Sequence, residues 1–280
     1  MDCCDANELL IIQKKTLALL ESFDAVCRRE GLRYFIVGGT LIGALRHRGF
    51  IPWDDDADVA MPREDYRRLE RILNADPPEG TYWESVSNPK HFPTNHFFGK
   101  LCLSETSIED SHPSEDGTRH HFGIDVFPFD TRPCSFLRQC RQALLSYFYQ
   151  HLSSLLFGGA SGKFRALKKV LRGILQPFFS SAESVAERFA HVAAMGEGED
   201  SSYYISLCGR YGYRRESYPK AWFRSAVRVP FESLMLSAPI EGESMLCQAY
   251  GKNWRTPPNP PAVNAHYRVN VKDTEGFSDV

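Results

Sequence analysis

The chain has 280 residues, 42% of them hydrophobic and 24% charged, which suits one large globular domain or a core with an elaborated insert. Its 33 Lys and Arg against 35 Asp and Glu give a net charge of −2, so no global field draws it to nucleic acid. No run reaches the ~18 apolar residues of a bilayer span. The eight cysteines contain no Cys-x-x-Cys pair, which argues against zinc ribbons and thioredoxin-type redox motifs.

The opening MDCCDANELL lacks a basic stretch followed by an apolar run, so it does not read as a secretion signal, and a cytosolic protein with reduced thiols is expected. From Glu8 to about Arg29, the positions Leu9, Ile12, Leu19, Leu20, Phe23 and Val26 recur at helical spacing behind an Asp5-x-x-Glu8 capping signal, and Gly31 ends the helix. Tyr34 to Val37 reads as a short buried strand, broken by Gly38-Gly39. Thr40 is expected to cap a helix from Leu41 to about Arg48. The chain then returns through Gly49-Phe50-Ile51-Pro52 to an acidic stretch, and Pro62 opens a helix with Tyr66, Leu69 and Leu73 on one face.

Residues 76–95 read as loop with short strands. Phe97 to Leu103 and Phe122 to Phe127 are strand candidates, with Asp130 beyond Pro128 taken as a turn residue. From about Ser135 to Met195 the pattern is mainly helical and includes the basic amphipathic run KFRALKKVLRGILQPFF. The Pro- and Asn-rich tail from Arg255 reads as irregular.

Asp54, Asp55, Asp56 and Asp58 fall within five positions and repel one another unless something compensates. An EF-hand loop is excluded, because its sixth position is Val59 and its twelfth is Asp65 rather than Glu. A solvated turn and a strand remain. On a strand, Asp54, Asp56 and Asp58 share a face while Asp55 points the other way, with Cα atoms of alternate residues roughly 6.6 Å apart. Carboxylates so placed converge on Mg2+ or Mn2+, or on a metal pair about 3.5–4 Å apart, shared with substrate phosphates. Two neighbours favour the strand. The Gly38-Gly39 turn before a helix presents backbone N–H groups suited to phosphate, without matching a Walker loop or a dinucleotide fingerprint. Asp125 sits within an apolar strand, where an ionised carboxylate needs a partner or a metal.

Strand, Gly-Gly-Thr, helix, Asp-x-Asp strand and a later strand with a third Asp resemble the polymerase-β type of nucleotidyltransferase. More closely, GGTLIGALRHRGFIPWDDDADVAMPREDY, FGKL, GIDVFPFD and YGKNWRTPP resemble the LicD family, whose members transfer phosphocholine from CDP-choline, or related phospho-groups, onto cell-surface glycans. The resemblance runs from about Leu9 to Pro258. It implies an α/β (α+β) protein: a nucleotidyltransferase core over 1–132 with a mixed sheet flanked by helices, a helical substrate-specifying region over 133–215, and a C-terminal segment over 216–280 packing on the core. Asp56, Asp58 and Asp125 are then the metal-holding and catalytic carboxylates, with Asp54 assisting or lying at the surface.

By the same resemblance Gly38, Gly39 and Thr40 hold phosphate, Arg46 contacts a phosphate or balances nearby acids, and Arg63 pairs with Asp58 or a phosphate. Lys100 needs a partner within its apolar surroundings. His120 and His121 read as ordinary loop histidines. A choline donor wants aromatic side chains around its ammonium, for which Trp53, Tyr82, Trp83, Trp222 and Trp254 are candidates. The expected partners are a CDP-linked donor such as CDP-choline and a glycan or lipid-linked glycan acceptor, with no nucleic acid. The basic run at 163–179 reads either as a peripheral contact with the inner membrane face or as an internal helix with a solvated face. Two alternatives stand beside this reading: nucleotidyl transfer with release of pyrophosphate, and a non-catalytic nucleotide- or sugar-binding module.

Overall fold

The computed structural model describes residues 6–93, 96–105, 108–110, 121–157, 165–179, 181–257 and 267–269. Helix α1 (Ala6–Glu30) buries Ile12, Leu19, Leu20 and Phe23 and ends at Gly31, whose φ of 62° is the left-handed stop that glycine adopts without penalty. Asp5, half of the expected capping signal, lies outside the described residues. Strand β1 (Phe35–Ile36) leads into α2 (Gly38–His47), then β2 (Asp58–Pro62) and α3 (Arg63–Ala75). Strands β3 (Thr81–Glu84), β4 (Gly99–Leu103), β5 (Ile108–Asp110) and β6 (Gly123–Thr131) follow. Next come α4 (Phe136–Phe157), α5 (Arg165–Leu175) and α6 (Ala182–Ala193), then β7 (Tyr203–Ile205), β8 (Ser217–Pro219), β9 (Ala226–Phe231), β10 (Leu234–Pro239), α7 (Gly242–Tyr250) and β11 (Tyr267–Val269).

The main sheet runs in the order β1-β2-β6-β4-β3, and β7 and then β8 extend it from β6. Among the described residues only β2 and β6 pair in parallel, so the α/β expectation holds in the form of a mixed sheet flanked by helices. The central strands are largely apolar because both faces are covered, and Asp58, Lys100, Asp125 and Asp130 interrupt them. Ile36, Val59, Ala60, Met61, Ile124 and Val126 are all buried in one core with the inner face of α1. A smaller core of Leu152, Leu156, Val185, Phe189 and Ile205 lies under α4 and α6. No helix among the described residues is long and apolar enough to cross a membrane.

Three expectations change. Pro128 sits inside β6 opposite Met61, so the strand continues to Thr131 and Asp130 is a buried strand residue, not a turn. The Asp125 N–H donates towards β2 and alternate residues share a side, so position 128 faces the other edge, between the stretches paired with β4 and with β7, where no ladder bond needs the missing N–H. The tail also supplies a strand, β11, which pairs with β5 and buries Tyr267 and Val269. Its two anchoring side chains lie too close together to create a periodic signal. Finally, β2 begins only at Asp58; Asp54 to Ala57 precede it outside any strand. The ladder nevertheless reaches back, since Asp125 N–H donates to the Ala57 carbonyl at 2.9 Å.

Candidate functional site

The parallel register places Asp58 directly beside Asp125, and antiparallel pairing places Lys100 on the other side of Asp125. Lys100 is buried and its ammonium lies 2.8 Å from the Asp125 carboxylate and 3.1 Å from the Tyr267 hydroxyl. Burial opposes the Lys100 charge, but Asp125 outweighs it and holds the ammonium's pKa above its ordinary value. The partner that this lysine requires is therefore the third carboxylate itself.

The acidic stretch alternates as a strand would. Asp54, Asp56 and Asp58 line one cavity with Asp125, whereas Asp55 turns away, is buried, and accepts the Tyr267 backbone N–H at 3.0 Å. Ligand oxygens of Asp54, Asp55 and Asp56 lie within 4.8 Å of one another. The Asp54 backbone is pinned by Gln13 of α1, whose amide donates to its carbonyl at 2.9 Å. Burial first, then repulsion from Asp56, Asp125 and Asp54, pushes the Asp58 carboxyl pKa well up, with Lys100 opposing. Four aspartates thus line one cavity and offer it a set of hard oxygen ligands. A hard divalent cation fits that donor set.

Gly38 and Gly39 serve this cluster in a way the sequence reading did not anticipate. They are the first two residues of α2, not a turn before it, and both line the cavity. A Cβ on Gly38 would stand 2.6 Å from an Asp58 oxygen, and one on Gly39 would stand 2.6 Å from an Asp54 oxygen. Gly38 also has a φ of 57°. The glycines thus let two carboxylates approach the positive end of a helix. Thr40 is corrected as well: it does not cap α2. The helix starts three residues earlier than expected, at Gly38, and the buried Thr40 hydroxyl accepts the Asp58 backbone N–H at 2.8 Å, which ties helix to strand.

Arg63 does not meet Asp58. In a parallel pair that matches Pro62 with Phe129, Arg63 falls beside Asp130, five residues or roughly 16 Å along the strand from Asp58. It forms a two-pronged pair with Asp130 at 2.7 and 2.9 Å on the wall of a second cavity, with Arg67 and Lys220. Arg46 also stands off the carboxylate cavity, donating to His47 at 2.8 Å and to the Trp254 carbonyl at 3.4 Å. Burial lowers its pKa while the Asp54 charge opposes the shift.

The carboxylate cavity has a volume of about 330 Å3, and its other walls mix aromatic rings with Cys208, Arg210, Glu216, Met245 and Leu246. Of the five candidate aromatics only Trp53 lines it; Trp83 is wholly buried in the core. Phe98, Phe127, Tyr211 and Tyr250 were not anticipated. Tyr211 and Tyr250 meet edge to face with ring centres 4.9 Å apart. Tyr250 opens the YGKNWRTPP motif, which carried a signal; Tyr211 carried none. His121 is no idle loop residue, since its Nδ1 lies 2.8 Å from Glu84, which His96 also approaches at 3.3 Å. His120 lies outside the described residues.

Residues 31–160 match the family model described as LicD/FKTN/FKRP, nucleotidyltransferase domain. The chain carries a LicD-family domain. It is 27% identical over 249 residues to the lipopolysaccharide cholinephosphotransferase LicD of Haemophilus influenzae, across 86% of this chain and 89% of that protein. It is 38% identical over 112 residues to the ribitol 5-phosphate transferase FKRP of Homo sapiens, across 38% of this chain but only 19% of that one. The matched segment of this LicD-family domain contains α2, β2, β4 and β6, and so Gly38, Gly39, all four cavity aspartates and Lys100.

Proposed function

We propose that the chain is a phosphotransferase that moves phosphocholine, or a related phospho-alditol group, from a CDP-linked donor to a hydroxyl of a cell-surface glycan precursor. The observation that carries this reading is the convergence of Asp54, Asp56, Asp58 and Asp125 on one cavity at a helix N-terminus. The names of two relatives, a cholinephosphotransferase and a ribitol 5-phosphate transferase, support a substituted phosphate as the group moved. On this reading the core is of the nucleotidyltransferase type, spanning 1–132, and residues 133–215 specify the acceptor.

Asp56, Asp58 and Asp125 would hold Mg2+ or Mn2+, with Asp54 assisting. A cation held there would supply neutralisation of the charge that spreads over the phosphoryl oxygens during transfer. Asp125, fixed by Lys100, orients the acceptor hydroxyl and takes its proton as the acceptor oxygen bonds to the phosphorus distal to cytidine. The bond from that phosphorus to the bridging oxygen breaks, and CMP leaves. Trp53, Tyr211 and Tyr250 surround the donor head group, where a quaternary ammonium gains from facing aromatic rings. Gly38 and Gly39 keep the cavity wall thin enough for donor phosphate to reach the backbone of α2. The site operates in the cytosol, where CDP-linked donors are made.

The test is incubation of the purified chain with CDP-choline, CDP-ribitol or CDP-glycerol, candidate glycans and Mg2+ or Mn2+, with CMP release and product mass as readouts. Asp56→Asn, Asp58→Asn and Asp125→Asn each abolish turnover while the protein stays folded. Pyrophosphate released from CTP, with no CMP from any CDP compound, would replace this reading with nucleotidyl transfer. No divalent-metal binding in the presence of nucleotide would replace it with a non-catalytic binding module.

A further inference from the structure

Helix α4 keeps a large apolar stripe outside. Its buried face carries Gln142, Ser146 and Ser153 with Leu152 and Leu156 towards its end, while Leu137, Leu144 and Phe148, spaced by seven and four residues along one stripe, face outward. Leu137 is 78% exposed and Leu144 69%. Loose docking does not explain this orientation, because the inward polar groups are specifically satisfied. The Gln142 amide donates to the Val192 carbonyl at 3.0 Å and accepts from the Tyr213 hydroxyl at 2.6 Å, and Gln150 donates to the Leu207 carbonyl at 2.8 Å. Rotating α4 to hide its apolar stripe would strand these groups.

The neighbouring segment repeats the pattern. Val170, Ile174 and Phe178 are exposed at helical spacing on and just past α5, and Phe178 is 73% exposed. The two patches adjoin, since the Phe148 and Phe179 rings lie 6.3 Å apart. Among the described residues, nine of the fourteen large exposed hydrophobics fall between Phe136 and Phe178. An apolar area of this extent on one part of a chain marks an interaction surface.

The charge around it names the partner. From Thr131 to Ala182 the sequence contains no Asp or Glu, although the whole chain has 35, and it contains eight Lys and Arg: Arg132, Arg138, Arg141, Lys163, Arg165, Lys168, Lys169 and Arg172. Only Arg138 among those with described side chains has an acidic partner, Glu199 from outside the segment. A second copy of the same face would set like charge against like charge. An anionic lipid surface accepts both features together, the apolar side chains entering the acyl boundary and the cations meeting headgroup phosphates.

We propose that the outward stripe of α4 and the adjoining apolar face of α5 form a docking surface for an anionic membrane. Delivery of a lipid-linked acceptor to the carboxylate cavity would be its use, and that consequence rests on the transfer reaction proposed above; the binding itself does not.

The test is flotation of the full chain with vesicles of phosphatidylcholine alone or with phosphatidylglycerol. The chain floats with the anionic vesicles, and less so as salt rises. Leu144→Glu/Phe148→Glu lowers binding by about tenfold or more. Leu10→Glu, an exposed apolar position on α1, leaves it unchanged. Asp58→Asn also leaves it unchanged, so a failed transfer reaction and a failed membrane surface are separable. If the double variant does not fold, Arg141→Glu carries the test through its weaker binding to anionic vesicles alone. No flotation by the unmodified chain overturns the proposal, as does equal flotation by the double variant. Light scattering that shows a dimer of the unmodified chain, split by Leu144→Glu/Phe148→Glu, also overturns it in favour of self-association.

Discussion

Gly38→Ala is the sharpest probe of how the site is built. Two costs follow from the structure. The backbone at Gly38 has φ of 57°, where an L side chain loses about 1–2 kcal/mol. The new Cβ would also stand 2.6 Å from an Asp58 oxygen where ordinary contact begins at 3.4 Å, so the carboxylate must retreat by 3.4 − 2.6 = 0.8 Å. A misplacement near 1 Å in a reacting constellation costs about a hundredfold in rate. Gly39→Ala separates the two effects. It meets Asp54 at the same 2.6 Å without left-handed strain, and alanine gains up to about 1 kcal/mol over glycine within a helix. The assay pairs urea unfolding with initial rates of CMP release from a CDP-linked donor. Gly38→Ala loses about 1–2 kcal/mol of stability and about a hundredfold in kcat; Gly39→Ala keeps its stability, and its rate reports how much Asp54 contributes. Full turnover by Gly38→Ala would refute the reasoning, leaving the glycine as a turn residue and nothing more.

Asp55→Ala leaves the Tyr267 N–H buried and unpaired and lowers stability by about 1–3 kcal/mol in urea unfolding, while Asp55→Asn, which retains an acceptor oxygen, recovers part of the loss; equal stability of Asp55→Ala and the unmodified chain would contradict this. Lys100→Met strips Asp125 of its buried counter-charge, costs about 3 kcal/mol, and makes thermal stability more responsive to Mg2+ than in the unmodified chain, which calorimetry with and without the ion measures. His121→Ala destabilises most at mildly acidic pH. The Glu84 hydrogen bond, set against burial, raises the His121 pKa, so its contribution is full below the unfolded value and fades as pH rises through the folded one. The Glu84 carboxyl is depressed by both histidines, although burial acts against them, so its contribution appears above the ordinary carboxylate range. Urea midpoints therefore differ most near pH ~5–6 and converge in alkali; a difference that grows towards alkaline pH would exclude the pair as the cause.

The sequence by itself determined the elements whose signals are local. Helical spacing placed α1 and α3 within a few residues, because an amphipathic stripe is written at intervals of three and four. The alternation of Asp54, Asp56 and Asp58 against Asp55 was also legible, since strand geometry fixes the side of every second residue, and it holds even where the backbone has no ladder partner on one side. An apolar strand bearing Asp125 announced a carboxylate that needed company, as Lys100 announced a cation that did. What the sequence left open was which groups meet. The parallel register of β2 on β6 decided that Asp58 faces Asp125 and that Arg63 goes to Asp130, because a shift in pairing moves every partner at once and leaves no trace in either strand alone. The return of the chain through Tyr211 and Tyr250 supplied two cavity walls from segments more than 150 residues away from Asp56, and β11 supplied the anchor for Asp55. Thr40 shows the limit most plainly: a hydroxyl before a helix reads as a cap, but only the packed chain reveals that the helix begins at Gly38 and that the Asp58 N–H, a strand away, takes that hydroxyl instead.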